Sequence, residues 1–401
     1  MAIIHTNKSI TFLNIALFLR AMLFLSPVIL LFYVENGLTF KELFLFQGIF
    51  YLTSILIALP VGYITDVFSK KKCLITSFIL FLTVVLLWYF FKGYYVILFG
   101  EIIFAISKVM MDTSTSGYLY DYLKSDSCEK LMPKYWAYIN FYLALGTAIV
   151  ALIGSYLYVK IGSHNILFIE IILTIVGILF LFLIKNINSA KKHIKTLKER
   201  YKNFLYGLQY VYNNKNIKYY MLYSGLLCSM SILFAMSFQP IMKFASFPII
   251  LFGVITGLNH GIRALSSFLT SRYLISCKIY NLRILLYLLY IFAFFIIFIT
   301  IKLKYVYVDL ILLTVICLII GLQLAFTILH VSRMHKFIET EHRGIAVSIN
   351  NIIPQIISVI IFFTSNIFFK SNKFFTFYII FFVFFVIFGL YLLIKTKGIK
   401  E

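Results

Sequence analysis

Twelve apolar runs, each about as long as a lipid bilayer is thick, leave this chain little choice of fold. They lie near residues 10–34, 42–65, 73–91, 94–120, 135–159, 164–185, 219–241, 248–271, 281–301, 307–331, 344–368 and 374–395. A helix needs about 20 mostly apolar residues to cross the hydrocarbon. The composition agrees: 62% of residues are apolar, 12% are charged and the mean hydropathy is +0.98, whereas a soluble globule carries about 25% charged residues. The expected fold is an all-α membrane protein with twelve transmembrane helices.

The formal net charge of +22 invites a nucleic-acid reading, which its distribution rejects. Basic residues gather in alternate loops: Lys70, Lys71 and Lys72; Lys124, Lys130 and Lys134; nine from Lys185 to Lys218; Arg272, Lys278 and Arg283; Arg333, Lys336 and Arg343; Lys395, Lys397 and Lys400. The other loops hold one or two each, such as Lys41, Lys92, Lys160 and Lys243. Positive loops stay cytoplasmic, so both termini are expected inside. The basicity is a topology signal, and it fits an even number of crossings.

Cys73, Cys128, Cys228, Cys277 and Cys317 stand alone in spans or inner loops. Without CxxC or metal-ligand spacing, they are expected to be reduced thiols, with no metal site. The first apolar run is longer than a signal-peptide core and lacks a small-residue cleavage site, so it is expected to be a retained first helix.

The chain divides near residue 186, with six spans on either side. Residues 1–185 are expected to form an N-terminal six-helix bundle and 219–401 a C-terminal one, joined by a cytoplasmic linker over 186–218. Within that linker Ile194, Leu197, Tyr201, Leu205, Leu208 and Val211 recur every three or four residues among lysines. That spacing predicts an amphipathic connector helix at the membrane surface. Two six-span halves are the layout of a transporter with parallel repeats about an axis normal to the membrane.

A short charged turn follows the second span: Gly62-Tyr63-Ile64-Thr65-Asp66-Val67-Phe68-Ser69-Lys70-Lys71-Lys72. It resembles the turn between helices 2 and 3 of the major facilitator superfamily of secondary transporters. Gly62, Asp66, Lys70 and Lys71 match that pattern; Val67 and Ser69 depart from it. The corresponding turn of the second half, Arg272 to Lys278, has basic residues and no Asp. Glu35-Asn36-Gly37-Leu38-Thr39 resembles the outer turn after helix 1 of the same family. Gly100-Glu101 with Ser116 to Asp121 is similar to helix 4 of a bacterial branch of efflux permeases, and Arg343 to Ser348 to the start of its helix 11. Drug–proton antiporters of the family carry a Gly-Pro pair in helix 5; here that helix has Gly146, Gly154 and Gly162 without it.

Ionisable residues inside a membrane are costly and usually mark a pathway. Span 4 holds Glu101, Lys108 and Asp112. At about 100° per residue, steps of seven and eleven bring all three onto one face within about 20°. Lys108 and Asp112 are also four apart, close enough to pair. Span 1 adds Arg20, span 6 Glu170, and span 8 His260 and Arg263. The resemblance implies that first and fourth helices line the cavity, so Arg20 and the span 4 stripe are expected to face water or one another. Asp112 or Glu101 is the expected proton carrier, with Lys108 and Arg20 as charge partners. Low dielectric favours a neutral carboxyl and a neighbouring cation favours the carboxylate, so separating Lys108 from Asp112 would load a proton. A static pair holding helix 4 to helix 1 through Arg20 is the competing reading.

The resemblance also implies that Gly62, Asp66, Lys70, Lys71 and Asp121 form a latch that holds the outward-open state. Pro27, Pro60, Pro240 and Pro354 fall in or near spans, where they can kink helices. Gln47, Asn140, Gln239, Asn259, His260, Arg263, Gln323, Asn350 and Asn351 are candidates for the substrate cavity, with Gln355 and His330 as further polar groups. No phosphate-cradling Gly-rich loop or Walker lysine appears, so ATP is not the expected driving force, and no cofactor is expected.

The residues and the resemblance together lead to a monomeric secondary transporter of the bacterial cytoplasmic membrane, not an enzyme. It is expected to export a small amphipathic molecule against protons by alternating access. Proton symport of a nutrient or metal chelate is the alternative, kept by the missing Gly-Pro pair. A receptor on the same fold is the other, and transport that survives deletion of residues 191–213 would argue against it.

Overall fold

The computed structural model describes residues 8–128, 131–187, 196–273, 279–303, 305–334, 338, 343–370 and 374–397. Lys130, Ile194, Leu274 to Lys278, Lys336 and Lys400 lie outside these. So do the side chains of Pro133, Lys134, Arg272 and Arg343 to Ile345.

Helices are the only regular elements among the described residues. They are α1 (Lys8–Ala21), α2 (Ile29–Glu35), α3 (Phe40–Val67), α4 (Lys70–Phe90), α5 (Tyr94–Ser125), α6 (Met132–Leu183), α7 (Leu197–Asn213), α8 (Lys215–Phe244), α9 (Ile249–Tyr273), α10 (Ile279–Leu303), α11 (Val306–Met334), α12 (Arg343–Lys370) and α13 (Phe374–Thr396). Among the described residues, eleven stretches are long and apolar enough to cross a bilayer. One of these runs through α6, whose 52 residues extend about 78 Å at 1.5 Å per residue, more than twice a hydrocarbon core. Gly162 interrupts it at φ 77° and ψ 168°, a backbone state that glycine adopts freely. Spans 5 and 6 thus meet at a single residue, and the crossings among the described residues number twelve.

Local chemistry sets the other ends. Glu42 caps the start of α3: the Thr39 amide donates to its carboxylate at 2.8 Å, and the Thr39 hydroxyl donates to the same carboxylate. Ser69 accepts from the Lys72 amide at 3.2 Å, so one of the two departures in the charged turn is the N-cap of α4. Gly37, at φ 78°, turns the chain between α2 and α3.

Span 1 departs from expectation. It is two helices, α1 and α2, with a break and a short 3-10 turn, Ser26–Val28, between them. Pro27 has no amide hydrogen, and its ring crowds the carbonyl four residues back. The groups freed at the break find partners on α6: the Leu25 amide donates to Glu170 at 3.0 Å. A Cβ at Gly154 would come within 2.6 Å of the Phe24 carbonyl oxygen, and one at Gly146 within 2.9 Å of that of Phe18. Helix 5 uses its glycines to let another backbone approach.

Contacts divide the chain into two compact units, 1–38 with 53–200, and 39–52 with 201–401. Leu13, Leu17, Phe78, Tyr118, Leu119 and Leu181 are fully buried in the core of the first. In the second, Phe44 and Tyr51 lie 5.8 and 5.9 Å from the ring of Phe362, while Tyr220, Met221 and Met334 are buried together. Outward-facing residues such as Leu56, Ile311 and Ile387 are about two-thirds exposed and apolar, as on lipid-facing helices.

Candidate functional site

In the first unit the charges of span 4 separate into two environments. Lys108 and Asp112 pair at 2.5 Å with side chains 44% and 52% exposed. Glu101 is buried, and Tyr33 of α2 donates to its Oε1 at 2.5 Å, while Oε2 has no hydrogen-bond partner. Sharing a helical face did not bring Glu101 to Lys108, because seven residues place it about 10 Å along the axis.

Arg20 is only 3% exposed, so of the two expected surroundings, water or the span 4 stripe, it does not face water. Its guanidinium lies 3.3 Å over the ring of Phe81 and 5.4 Å from that of Phe104. A planar, weakly hydrated cation packs well on aromatic faces. Its Nε and one terminal nitrogen have no hydrogen-bond partner, and it lies within electrostatic reach of Glu170 and Asp112.

At the charged turn, Asp66 bonds Lys70 at 2.7 Å and pairs with Arg200 at the start of α7. Lys70 also donates to the Thr65 carbonyl, and its methylenes pass over Gly117. Lys71 donates instead to the Phe182 and Ile184 carbonyls, at 2.7 and 2.6 Å, satisfying orphan groups at the end of α6. A Cβ on Gly62 would meet Arg200 at 3.5 Å, an ordinary contact. Asp121 is half-buried.

The cavity candidates are scattered. In the first unit Asn140 is exposed and donates to the Trp136 carbonyl of its own helix at 2.8 Å. In the second, Asn259, Gln323 and Asn350 are buried, Gln47, Gln239, His260 and Arg263 are half-buried, and Asn351 is exposed. Gln323 donates to Thr327 at 2.7 Å, a helix-internal bond. Asn259 and Asn350 each keep a buried oxygen without a hydrogen-bond partner. Arg263 lies within electrostatic reach of His260, Cys228 and Tyr51, which makes it the centre of the polar groups in this unit. No group of three metal-ligating side chains occurs among the described residues.

The profile of the Major Facilitator Superfamily matches residues 10–363. The chain belongs to that superfamily. A mutant of the nucleoside transporter NupG aligns at TM-score 0.78 and 14% identity, covering 97% of this chain and 98% of the other. A bacterial homologue of the human lysosomal transporter Spinster, inward-facing and occupied, aligns at 0.69 and 11%, covering 100% and 98%. No curated sequence matches significantly. At such identities the likeness carries the fold.

For a member of this superfamily, several side chains matter whose partners the sequence reading did not give: it passed over Tyr33 and named Glu170, Arg283 and His330 without placing their contacts. Tyr33 and Glu170 engage the first-span break and its neighbours, and Arg200 supplies an ion pair from the linker. Arg283, read as a loop cation, is 1% exposed, lies 4.5 Å over the Tyr220 ring and donates to the Thr396 carbonyl at 3.4 Å. His330 stacks on the other partner of that group, with ring centroids of His330 and Tyr220 4.0 Å apart. The signal for Arg283 was its spacing: it sits only four residues into α10, where a long side chain can reach either the interface or a neighbouring helix end.

Proposed function

We propose that this chain is a proton-coupled secondary transporter, with Glu101 as the proton carrier and export of a small amphipathic molecule as its direction. The carrying observation is the buried Glu101 carboxyl, held by Tyr33 at 2.5 Å through one oxygen and unpartnered at the other. A carboxyl in a membrane-spanning bundle, anchored and still with a free acceptor, is suited to take and release a proton. Asp112, in an exposed pair with Lys108, then serves the aqueous side of the path. Arg20 lies within electrostatic reach of Asp112 and Glu170 and ties their charge states together. The basic loops put both termini in the cytoplasm of a bacterial cell, and the aromatic-rich spans suit an apolar or mixed substrate. One chain with both bundles forms the pathway.

Uptake by proton symport is the second reading. Its support is helix 5, where Gly146 and Gly154 serve close packing against span 1 and no Gly-Pro pair is present.

The test is dye-reported proton flux in energised inside-out vesicles, with a panel of amphipathic compounds. Under this proposal a transported compound releases lumenal protons. Glu101→Gln, which retains an acceptor for Tyr33, abolishes the coupled flux, whereas Asp112→Asn only slows it. Coupled flux that persists undiminished in Glu101→Gln rejects Glu101 as carrier. Proton movement in the opposite sense assigns uptake.

A further inference from the structure

The linker helix carries a surface that transport does not use. Along α7, Tyr201, Leu205, Leu208 and Tyr212 are 57%, 45%, 38% and 70% exposed. At 100° per residue they fall on one stripe about 60° wide. The expectation from spacing placed Val211 in this stripe; it is instead 5% exposed and packs with Ile217 and Tyr220 in the core of the second unit. The helix therefore has a protein-facing side and, beside it, an apolar side that stays 38% to 70% exposed.

Where this helix ends narrows what can cover that stripe. Asn214 alone separates α7 from α8, and it caps α8 by accepting from the Ile217 amide at 3.2 Å. Since α8 is a membrane span, the last turn of α7 is pinned at the bilayer boundary. An open cleft of about 480 Å³ lies at this corner, lined by Tyr210, Asn213, Asn214, Lys215 and Asn216. Lys218 adds its ammonium 4.4 Å over the Tyr212 ring. From 197 to 218 there are five basic residues (Lys198, Arg200, Lys202, Lys215 and Lys218) and one acid, Glu199; Arg200 is engaged with Asp66, which leaves the four lysines as the basic groups of this segment. The acid is already engaged in capping α7.

We propose that this corner binds the headgroup of an anionic phospholipid in the adjoining leaflet, with the Tyr201–Tyr212 stripe lying in the acyl boundary. Asparagine amides and lysine ammoniums are donors suited to a phosphodiester, and the cleft has the size of a small-ligand site. An apolar stripe flanked by lysines is the form of an interfacial helix, and juxtamembrane basic clusters select anionic lipid. A soluble acidic protein would satisfy the lysines and leave the stripe in water, which is why the charge and the stripe together favour lipid.

The full chain carrying Tyr212→Trp, a ring that retains the cation–π contact with Lys218, is reconstituted in nanodiscs with brominated phosphatidylglycerol or brominated phosphatidylcholine at equal mole fraction. The emission of the parent protein, from Trp88 and Trp136, is subtracted. Quenching by the anionic lipid is expected to exceed that by the zwitterionic one at least about twofold. Lys215→Gln with Lys218→Gln is expected to erase the difference while an unchanged thermal transition reports an intact fold. Equal quenching by the two lipids overturns the proposal, as does a preference that survives the double lysine substitution. Equal quenching by the two lipids together with a thermal transition raised by glycerol phosphate in both overturns the lipid assignment in favour of a free phosphate solute.

Discussion

Two carboxylates on one helical face end in different surroundings, and their partners decide which is which. Asp112 keeps the Lys108 ammonium at 2.5 Å and half its surface. Glu101 loses water and gains a tyrosine from another helix. The face was legible in the sequence because seven- and eleven-residue steps follow directly from helical geometry. Burial was not, because Tyr33 lies sixty-eight residues away and nothing in its spacing marks it as a partner. The same holds for the glycines of α6. Replacing Gly154 by Ala drives a Cβ to 2.6 Å from the Phe24 carbonyl, and backbone cannot swing aside as a side chain does. The expected loss is about 1–3 kcal/mol, read as a lowered thermal midpoint in detergent. Gly261→Ala is the control, since nothing lies within 4 Å of its added methyl and a helical alanine replaces a flexible glycine. If both variants melt with the wild type, the close approach at Gly154 has no energetic weight.

At the scale of elements, the helix starts are written locally and the breaks are not. Thr39-Phe40-Lys41-Glu42 and Thr196-Leu197-Lys198-Glu199 both spell a capping box. The second forms it, with the Thr196 amide donating to Glu199 at 2.7 Å and the Glu199 amide to the Thr196 hydroxyl at 3.2 Å, whereas at the first both bonds run from Thr39 to the Glu42 carboxylate. Thr196→Ala should cost α7 about 1 kcal/mol. Hydrogen exchange of its first turn should then quicken about fivefold, with α8 unaffected. No change would mean that packing alone holds that end. The number of crossings was legible because apolar length is a one-dimensional property. The break in span 1 was not, because residues 10–34 read as one apolar run and the compensating groups, Glu170 and Gly154, come from another helix. Glu170→Gln keeps an acceptor for the Leu25 amide and should preserve the fold. Glu170→Leu leaves that buried donor unpaired, at a cost of about 1–3 kcal/mol, and a difference in melting between the two variants measures the cap.

For the whole molecule, the informative contact joins the charged turn to the linker. The sequence resemblance directed attention to Asp66 and its following lysines, and Lys70 does reach Asp66. It gave no hint of Arg200, which lies in a segment read as a connector. That pair changes what the linker deletion should do: removing residues 191–213 takes away a partner of Asp66, so transport is expected to slow instead of surviving unaltered. A double-substitution cycle separates this contact from general damage to the linker. Asp66→Asn and Arg200→Gln should each alter the maximal transport rate about two- to fivefold, and together no more than either alone, a coupling of about 0.5–1 kcal/mol. Strict additivity would show that the pair acts on neither the resting state nor the transition between states. Salt supplies an independent check. The Asp66 side chain is 46% exposed, so its ion pairs are open to screening within a Debye length of about 8 Å at physiological ionic strength. The rate difference between wild type and Asp66→Asn should therefore shrink as salt rises, while the difference produced by Gly154→Ala, which arises from steric contact between backbones, should stay constant.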